Sequence, residues 1–294
     1  MFLYKSVKTA VLDVAYLEWN PDAVKIAVLI HGWPDSPTCW KNVAPVLAEA
    51  GYRVLAPALR GYYPTKFLSA ETPRSGQLSA LGQDLLDFLD ALHIKRAALI
   101  GHDWGARAAA NACGLREEVA THLVMLSVGY GTNGPGQSLA LSQAQNFWYQ
   151  WYLASKPGEQ ALWDDRVAFA KRMWDTWSPS GWYDDRDFHE AAEAFQGDDW
   201  PLIVMHSYRH RWAMADSDPA YADAEAALSP APTLSIPVLM LHGGADTCTH
   251  PSTSEGKEGF FTGRYERHVL PGVGHFPQRE AGQVVVQRIR AFLR

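Results

Sequence analysis

Hydrophobic positions along this chain come in short unbroken runs. Ile26 to Ile30, Ala97 to Ile100, Leu123 to Val128 and Val238 to Leu241 have the length and character of strands buried on both faces. Between them, Lys41 to Ala50 reads as a helix and Tyr52 to Ala56 as a short strand. Gln77 to Leu92 carries Leu78, Leu81, Leu85, Leu86 and Leu89 at helical spacing, and Ala106 to Ala112 is rich in good helix formers. Strand and helix in alternation predict a parallel sheet covered on both faces. Residues 7 to 18 alternate as an edge strand or hairpin arm, and Asn20-Pro21-Asp22 turns the chain. Near the end, the pattern predicts a helix around Ser254 to Phe261, a strand over Glu266 to Leu270 and a last helix over Glu280 to Leu293.

The alternation breaks at Gly129-Tyr130-Gly131-Thr132-Asn133-Gly134-Pro135-Gly136. These glycines outline a dinucleotide fingerprint, but Pro135-Gly136 interrupts the helix that must follow, and no acidic strand end comes about 20 residues later. A hinge is the better reading, with Ser229-Pro230-Ala231-Pro232 as the return. Between them the chain is rich in Trp, Tyr, Asp and Arg, has helical spacing and shows no strand pattern; eight of the 12 tryptophans lie from Trp148 to Trp212. The expected division is a sheet domain from residues 1–128 and 233–294, with a helical cap, 129–232, inserted in it.

A chain of 294 residues with 47% hydrophobic and 20% charged positions suits one globular domain with a large insertion. The net charge of −6, with no basic cluster beyond Arg209-His210-Arg211, gives no footprint for nucleic acid or an anionic membrane. Cys39, Cys113 and Cys248 are odd in number and unpatterned, which suits a reducing compartment and a packing role. The first residues have neither an unbroken apolar core nor an Ala-x-Ala-like cleavage site, and no run approaches about 18 apolar residues. A cytoplasmic protein is expected, with a homodimer left open.

The chemistry concentrates at Ala97 to Arg107, AALIGHDWGAR. Gly101 and Gly105 allow a turn so tight that the side chain between them stands at the strand's C-terminal end, over the next helix. That residue is Asp103. A capping or solvated Asp is the plain alternative. As a nucleophile on an ester or amide, a carboxylate would form an anhydride, which is uphill; on a saturated carbon with a strained or good leaving group, displacement gives an ordinary ester. Epoxides and alkyl halides are therefore the substrates such an Asp can attack.

His31-Gly32-Trp33-Pro34-Asp35 ends the first buried run and is placed to aim a backbone N–H at a substrate oxygen, with Trp33-Pro34 a candidate cis bond. His242-Gly243-Gly244-Ala245-Asp246 and Gly272-Val273-Gly274-His275-Phe276 follow later strands. Asp103, Asp246 and His275 thus each follow a strand, in the order nucleophile, acid, base. Strand C-termini of a parallel sheet share one edge, so the three can converge across 172 positions. Asp103 would attack carbon; His275, oriented by Asp246, would activate water; the backbone N–H groups of Trp33 and Trp104 are the oxyanion-hole candidates.

With HGWPD, GHDWG, GGAD and GVGHF in this order, the chain resembles the epoxide hydrolases and haloalkane dehalogenases of the α/β-hydrolase fold over nearly its whole length. The resemblance implies an eight-stranded, mostly parallel core under a helical lid, and no cofactor or metal. It also implies two lid tyrosines donating protons to the epoxide oxygen, matched by Phe147-Trp148-Tyr149-Gln150 and His206-Ser207-Tyr208-Arg209; hence Tyr149 and Tyr208, with Tyr152 a competitor for the first role. A dehalogenase would use the same Asp103, Asp246 and His275, with Trp104 and a lid Trp holding halide, but Trp33 stands where an Asn is usual there. Tyr63 departs from the usual glycine of the Arg-Gly-x-Gly loop and could narrow the pocket. Trp33, Trp104, Trp148, Tyr152 and Phe276 are expected to line that pocket. The implied reaction joins water to a small apolar epoxide, giving a vicinal diol. His206 and His210 lack the third ligand of a metal site, and His31 and His102 are expected to tie backbone together. A non-catalytic ligand sensor on this fold has no need of the full set of residues.

Overall fold

The computed structural model describes residues 3–132 and 136–294. Among these residues nine strands form one sheet: β1 (Lys5–Lys8), β2 (Leu12–Trp19), β3 (Lys25–Ile30), β4 (Tyr52–Pro57), β5 (Lys66–Phe67), β6 (Ala97–His102), β7 (Ala120–Leu126), β8 (Val238–Gly243) and β9 (Tyr265–Leu270). Their order is β1-β2-β4-β3-β6-β7-β8-β9, with β5 beside β2. The six strands from β4 to β9 in that order pair in parallel, and β1, β2 and β5 pair antiparallel. The eight expected strands are thus joined by β5, whose two residues are too short to leave a periodic signal.

The apolar runs make central strands because both faces of the sheet are covered. Val28, Ile30, Leu99, Leu123, Met125, Val238 and Met240 enter one core cluster, whereas Ala27, Leu29, Ala98, Ile100, Val124, Leu126, Leu239 and Leu241 enter the other. The period-2 alternation sends neighbouring residues into opposite cores, so a strand flanked by helices on both sides reads as continuous hydrophobicity. The first cluster extends without a break into Phe147, Tyr149, Trp174, Phe195, Trp200 and Tyr208. From residue 136 to 228 every regular element among the described residues is helical, and these helices share a core with the sheet.

Three expectations change. No helix forms over Ser254 to Phe261: short 3-10 turns at Pro251–Ser254 and Glu258–Phe260 flank Gly256, whose φ of +64° breaks helical continuity. The last helix is divided into Pro277–Glu280 and Gly282–Phe292 by Ala281, at φ −135°. The span 7 to 18 is two strands, and β2 is interior, between β1 and β4. Part of the glycine-rich hinge, Asn133 to Pro135, lies outside the described residues. The Trp33–Pro34 bond is cis. Among the described residues no helix is long and apolar enough to cross a membrane.

Leu99 is fully buried in β6, whereas Val284 on the last helix is 45% exposed. Leu99→Ala is expected to cost about 2–5 kcal/mol, from lost burial plus the cavity left behind. Val284→Ala should change stability by less than about 0.5 kcal/mol. Urea midpoints at a common slope check the contrast.

Candidate active site

Asp103 occupies the turn between β6 and the helix Trp104–Leu115, at φ +50° and ψ −114°, and its side chain makes no capping bond to that helix. The turn exists because its neighbours are glycines. A Cβ on Gly101 would run into the Gly105 backbone, one on Gly105 into the Ile30 carbonyl, and one on Gly32 would stand 2.5 Å from the Cβ of Asp103. The close approach brings the loop after β3 against the Asp103 carboxylate, where the Trp33 N–H donates to Oδ1 at 3.0 Å. Trp104 is the first residue of its helix, where backbone N–H groups have no intrahelical acceptor.

The other carboxylate oxygen, Oδ2, lies 3.8 Å from His275 Nε2. The opposite ring nitrogen, Nδ1, is 2.8 Å from Asp246 Oδ2. Since Asp246 Oδ1 accepts from the backbone N–H groups of Cys248 and Thr249 at 2.8 and 2.9 Å, this carboxylate is fixed as an acceptor. The arrangement places the proton on Nδ1 and leaves Nε2, which is buried and without a hydrogen-bond partner, facing Asp103. Asp246 is wholly buried, which disfavours its charge, yet His275 and His242 hold its pKa down to about 2. Burial likewise works against a charged His275, but the charge and hydrogen bond of Asp246, then the charge of Asp103, raise its pKa above the ordinary value.

The His275 loop is clamped on both sides. Its carbonyl accepts from His102 Nε2 at 2.7 Å and from Ser127 Oγ at 2.9 Å. Its N–H reaches Ser178 Oγ at 2.9 Å, and Ser178 in turn donates to Glu280 at 2.6 Å. Glu280 also accepts from the N–H groups of Gly274 and Phe276 at 2.6 and 2.9 Å. Burial lowers the pKa of both His31 and His102 to about 4, so they serve as neutral ties: His31 Nε2 accepts from the Leu59 N–H at 3.1 Å.

The rings of Tyr149 and Tyr208 meet with centroids 5.2 Å apart and nearly perpendicular. Trp33 packs against both, at 5.3 Å each, and Trp177 bridges Tyr149 to His275 at 5.0 Å on either side. Tyr149 Oη accepts from Gln150 Nε2 at 2.9 Å, and Tyr208 Oη from Trp104 Nε1 at 3.2 Å. Burial, reinforced by the charge of Asp103, pushes both phenols well above their ordinary pKa. Each is therefore a protonated hydroxyl with an acceptor position already filled.

The remaining expected residues separate. Phe276 is buried against His275 at 5.2 Å and Trp182 at 4.7 Å. Trp148 and Tyr152 are 40% and 37% exposed and pack on Phe169 at the outer side of the ring cluster. Tyr63 is 52% exposed, and Tyr62 is the buried neighbour, 4.6 Å from His31. Trp177, Gln150, Ser127, Ser178 and Glu280 join the site without having been expected there; only Gln150 carries a signal in the sequence, as the second member of the Tyr-Gln pair. No group of three or more His, Cys, Asp or Glu placed to hold a metal occurs among the described residues, and His206 and His210 are spent on Asp216 and Ser217.

A family model described as the alpha/beta hydrolase family matches residues 27–288. Epoxide hydrolase A of Mycobacterium tuberculosis is 24% identical over 322 aligned positions, covering 98% of this chain and 96% of its own. An epoxide hydrolase of Caballeronia sordidicola is 35% identical over 138 residues, covering 46% of this chain and 41% of its own. Among solved structures, a Klebsiella pneumoniae chain provisionally designated an epoxide hydrolase superposes with a TM-score of 0.92 at 34% identity, covering 99% of this chain and 97% of that one. Potato epoxide hydrolase I, at 20% identity and a TM-score of 0.80, shares the fold over 100% of this chain and 99% of its own. With the sheet order, the turn at Asp103 and a family match over most of its length, the chain belongs to the alpha/beta hydrolase family.

Proposed function

We propose that this protein is an epoxide hydrolase that converts an apolar epoxide to a vicinal diol through a covalent ester on Asp103. The observation that carries the reading is a carboxylate joined to two buried phenols through Trp33: its N–H donates to Asp103, its ring packs on Tyr149 and Tyr208, and each phenol oxygen accepts from a fixed N–H donor. A carboxylate opens an epoxide only if something protonates the departing oxygen, and phenols kept neutral by burial supply that proton. The names of the Mycobacterium, Caballeronia and Klebsiella relatives support the same reading.

In the first step Asp103 Oδ2 attacks an epoxide carbon, the C–O bond breaks, and Tyr149 or Tyr208 gives its proton to the released oxygen. In the second, His275 Nε2 takes a proton from water, whose oxygen attacks Cγ of the ester. The charge then develops on Oδ1, where the Trp33 N–H already points and the Trp104 N–H is free to join. Collapse releases the second hydroxyl; the proton held by His275 and the remaining proton of the water complete the diol and restore the phenol. Asp246 keeps the imidazole in the tautomer that can accept. Helices from residues 129–232 act as a cap whose rings wall the substrate from water. A halide cradle is the weaker alternative, because the Trp104 indole N–H is given to Tyr208.

Three outcomes follow from these roles. His275→Gln, mixed with a panel of epoxides including styrene oxide, should accumulate protein heavier by one substrate mass at Asp103, read by intact and peptide mass spectrometry; unmodified protein that still turns over would refute the ester. Tyr149→Phe and Tyr208→Phe should each slow epoxide opening by about 10²-fold or more, and the double variant should abolish it; full turnover in the double variant would place the donors elsewhere. Esterification removes the Asp103 charge that helps raise the His275 pKa. Hydrolysis of the ester needs neutral His275, so its rate should fall in acid with a midpoint below the His275 titration of free enzyme followed by NMR. A midpoint at or above that titration would count against His275 as the base.

A further inference from the structure

Two buried arginines outside this group form no ion pair among the described residues. Arg107 lies one turn after Asp103 on its helix, and Arg211 ends the helix Asp199–Arg211; they are 6% and 4% exposed. The other deeply placed guanidiniums are paired. Arg60 grips both oxygens of Asp84 at 2.6 Å, and Arg279 grips both oxygens of Asp35 at 2.6 and 2.8 Å. Arg107 and Arg211 enter no ion pair among the described residues. Arg107 donates to Thr132 O and Oγ1 at 2.8 and 3.2 Å, Arg211 donates to Ser207 Oγ at 3.2 Å, and the Nε of each is buried without a partner. Burial, and then the neighbouring charge of Arg211, outweigh the attraction of the Asp103 carboxylate and bring the Arg107 pKa down to about 10.

Two adjacent buried cations without an ion pair are costly, and apolar residues of similar volume would be cheaper. The arginines also line one cavity of about 750 Å³. Leu78, Met125, Leu228 and Phe260 give it an apolar wall. Its acidic groups are committed or peripheral: Glu225 is held by Gln77 and Ser79, and Asp216 is exposed. The side chains assigned above to the reaction do not line it, although Arg211 rests on the Tyr208 ring at 4.8 Å and the Trp104 ring at 5.3 Å. The space therefore abuts the reacting group from outside.

We infer that Arg107 and Arg211 are the head-group site of a second binding cavity, whose ligand is an amphipathic monocarboxylic acid. Its carboxylate lies across the two guanidiniums and its chain along Leu78, Met125, Leu228 and Phe260. Guanidinium forks match carboxylate geometry, and the volume falls in the range of small-molecule sites. An inorganic oxyanion would satisfy the charge but leave the apolar wall against water. The inference goes beyond the diol-forming reading and does not rest on it.

Decanoate, decanol and inorganic phosphate, titrated calorimetrically into the full chain at low salt, test the site without reference to turnover. Decanoate should bind, and decanol should bind far more weakly. Arg107→Met and Arg211→Met should each weaken decanoate by about 30-fold or more. Arg107→Lys, which keeps charge but loses the fork, should weaken it less. Without ligand, both Met variants should melt at or above the wild-type temperature, because an uncompensated charge has gone; decanoate should raise the melting temperature of the wild type alone. Equal binding of decanol, undiminished decanoate binding in either Met variant, or phosphate binding as tightly as decanoate would overturn the assignment. If one Met variant does not fold, the other carries the same decision.

Discussion

The structure depends on a backbone that crosses itself too closely for any side chain but hydrogen. At Asp103 the chain leaves β6 and enters a helix within one residue of positive φ, and the space for this is obtained at Gly101, Gly105 and Gly32 together. Gly105 presses against the end of β3 and Gly32 against Asp103 itself, so the turn and the loop after β3 can only fit as a pair. Such a conformation persists where its surroundings over-determine it. Here β3 and β6 are adjacent in mid-sheet, and the Asp103 N–H is held by the Leu126 carbonyl at 3.1 Å. The same crowding that strains the turn presents the Trp33 N–H to the carboxylate, so this hydrogen bond comes as a consequence of the packing.

A second constraint acts on the imidazole. His275 sits on a loop, and loops leave side chains free to wander unless the backbone is tied. Here the peptide on one side of His275 is bonded to groups of the sheet, His102 and Ser127, while that on the other side reaches Ser178 in the helical segment. The His275 loop is therefore tied to the sheet and to the helical segment at once. The role left to Asp246 is narrow. With one oxygen filled by two backbone N–H groups, it turns the other to Nδ1 at 2.8 Å, with His242 Nε2 at 3.4 Å, and this sets the His275 tautomer.

What can be read from the sequence are features that physics makes local. A buried parallel strand is an apolar run, and a tight turn needs glycine, so β3, β6, β7, β8 and the bend at Asp103 are legible in the chain alone. The convergence of Asp103, Asp246 and His275 is legible because strand ends share an edge. The Ser254 to Phe261 helix fails because composition does not reveal that Gly256 takes a positive φ. Trp148 and Tyr152 differ from Tyr149 only in which way a short helix is turned, and a stretch aromatic on all sides carries no periodic signal for that. Ser178, Ser127 and Glu280 act through hydrogen bonds spanning up to 148 positions, and the lack of an ion pair at Arg107 and Arg211 among the described residues is a property of three-dimensional surroundings alone.

The electrostatics of the two phenols resolve an apparent conflict in the proposed reaction. Burial beside a carboxylate makes each a weaker acid than an exposed tyrosine, which runs against the usual demand on a proton donor. The oxygen leaving an epoxide, however, becomes an alkoxide, more basic than a phenolate, so the transfer stays favourable as the C–O bond breaks. Weak acidity in the resting state prevents a phenolate from forming opposite Asp103, where it would repel the nucleophile's charge. During reaction the Gln150 and Trp104 N–H groups, already aimed at the phenol oxygens, bond more strongly as those oxygens gain negative charge. Donors that contribute little in the ground state and more in the transition state lower the barrier without tightening the grip on substrate.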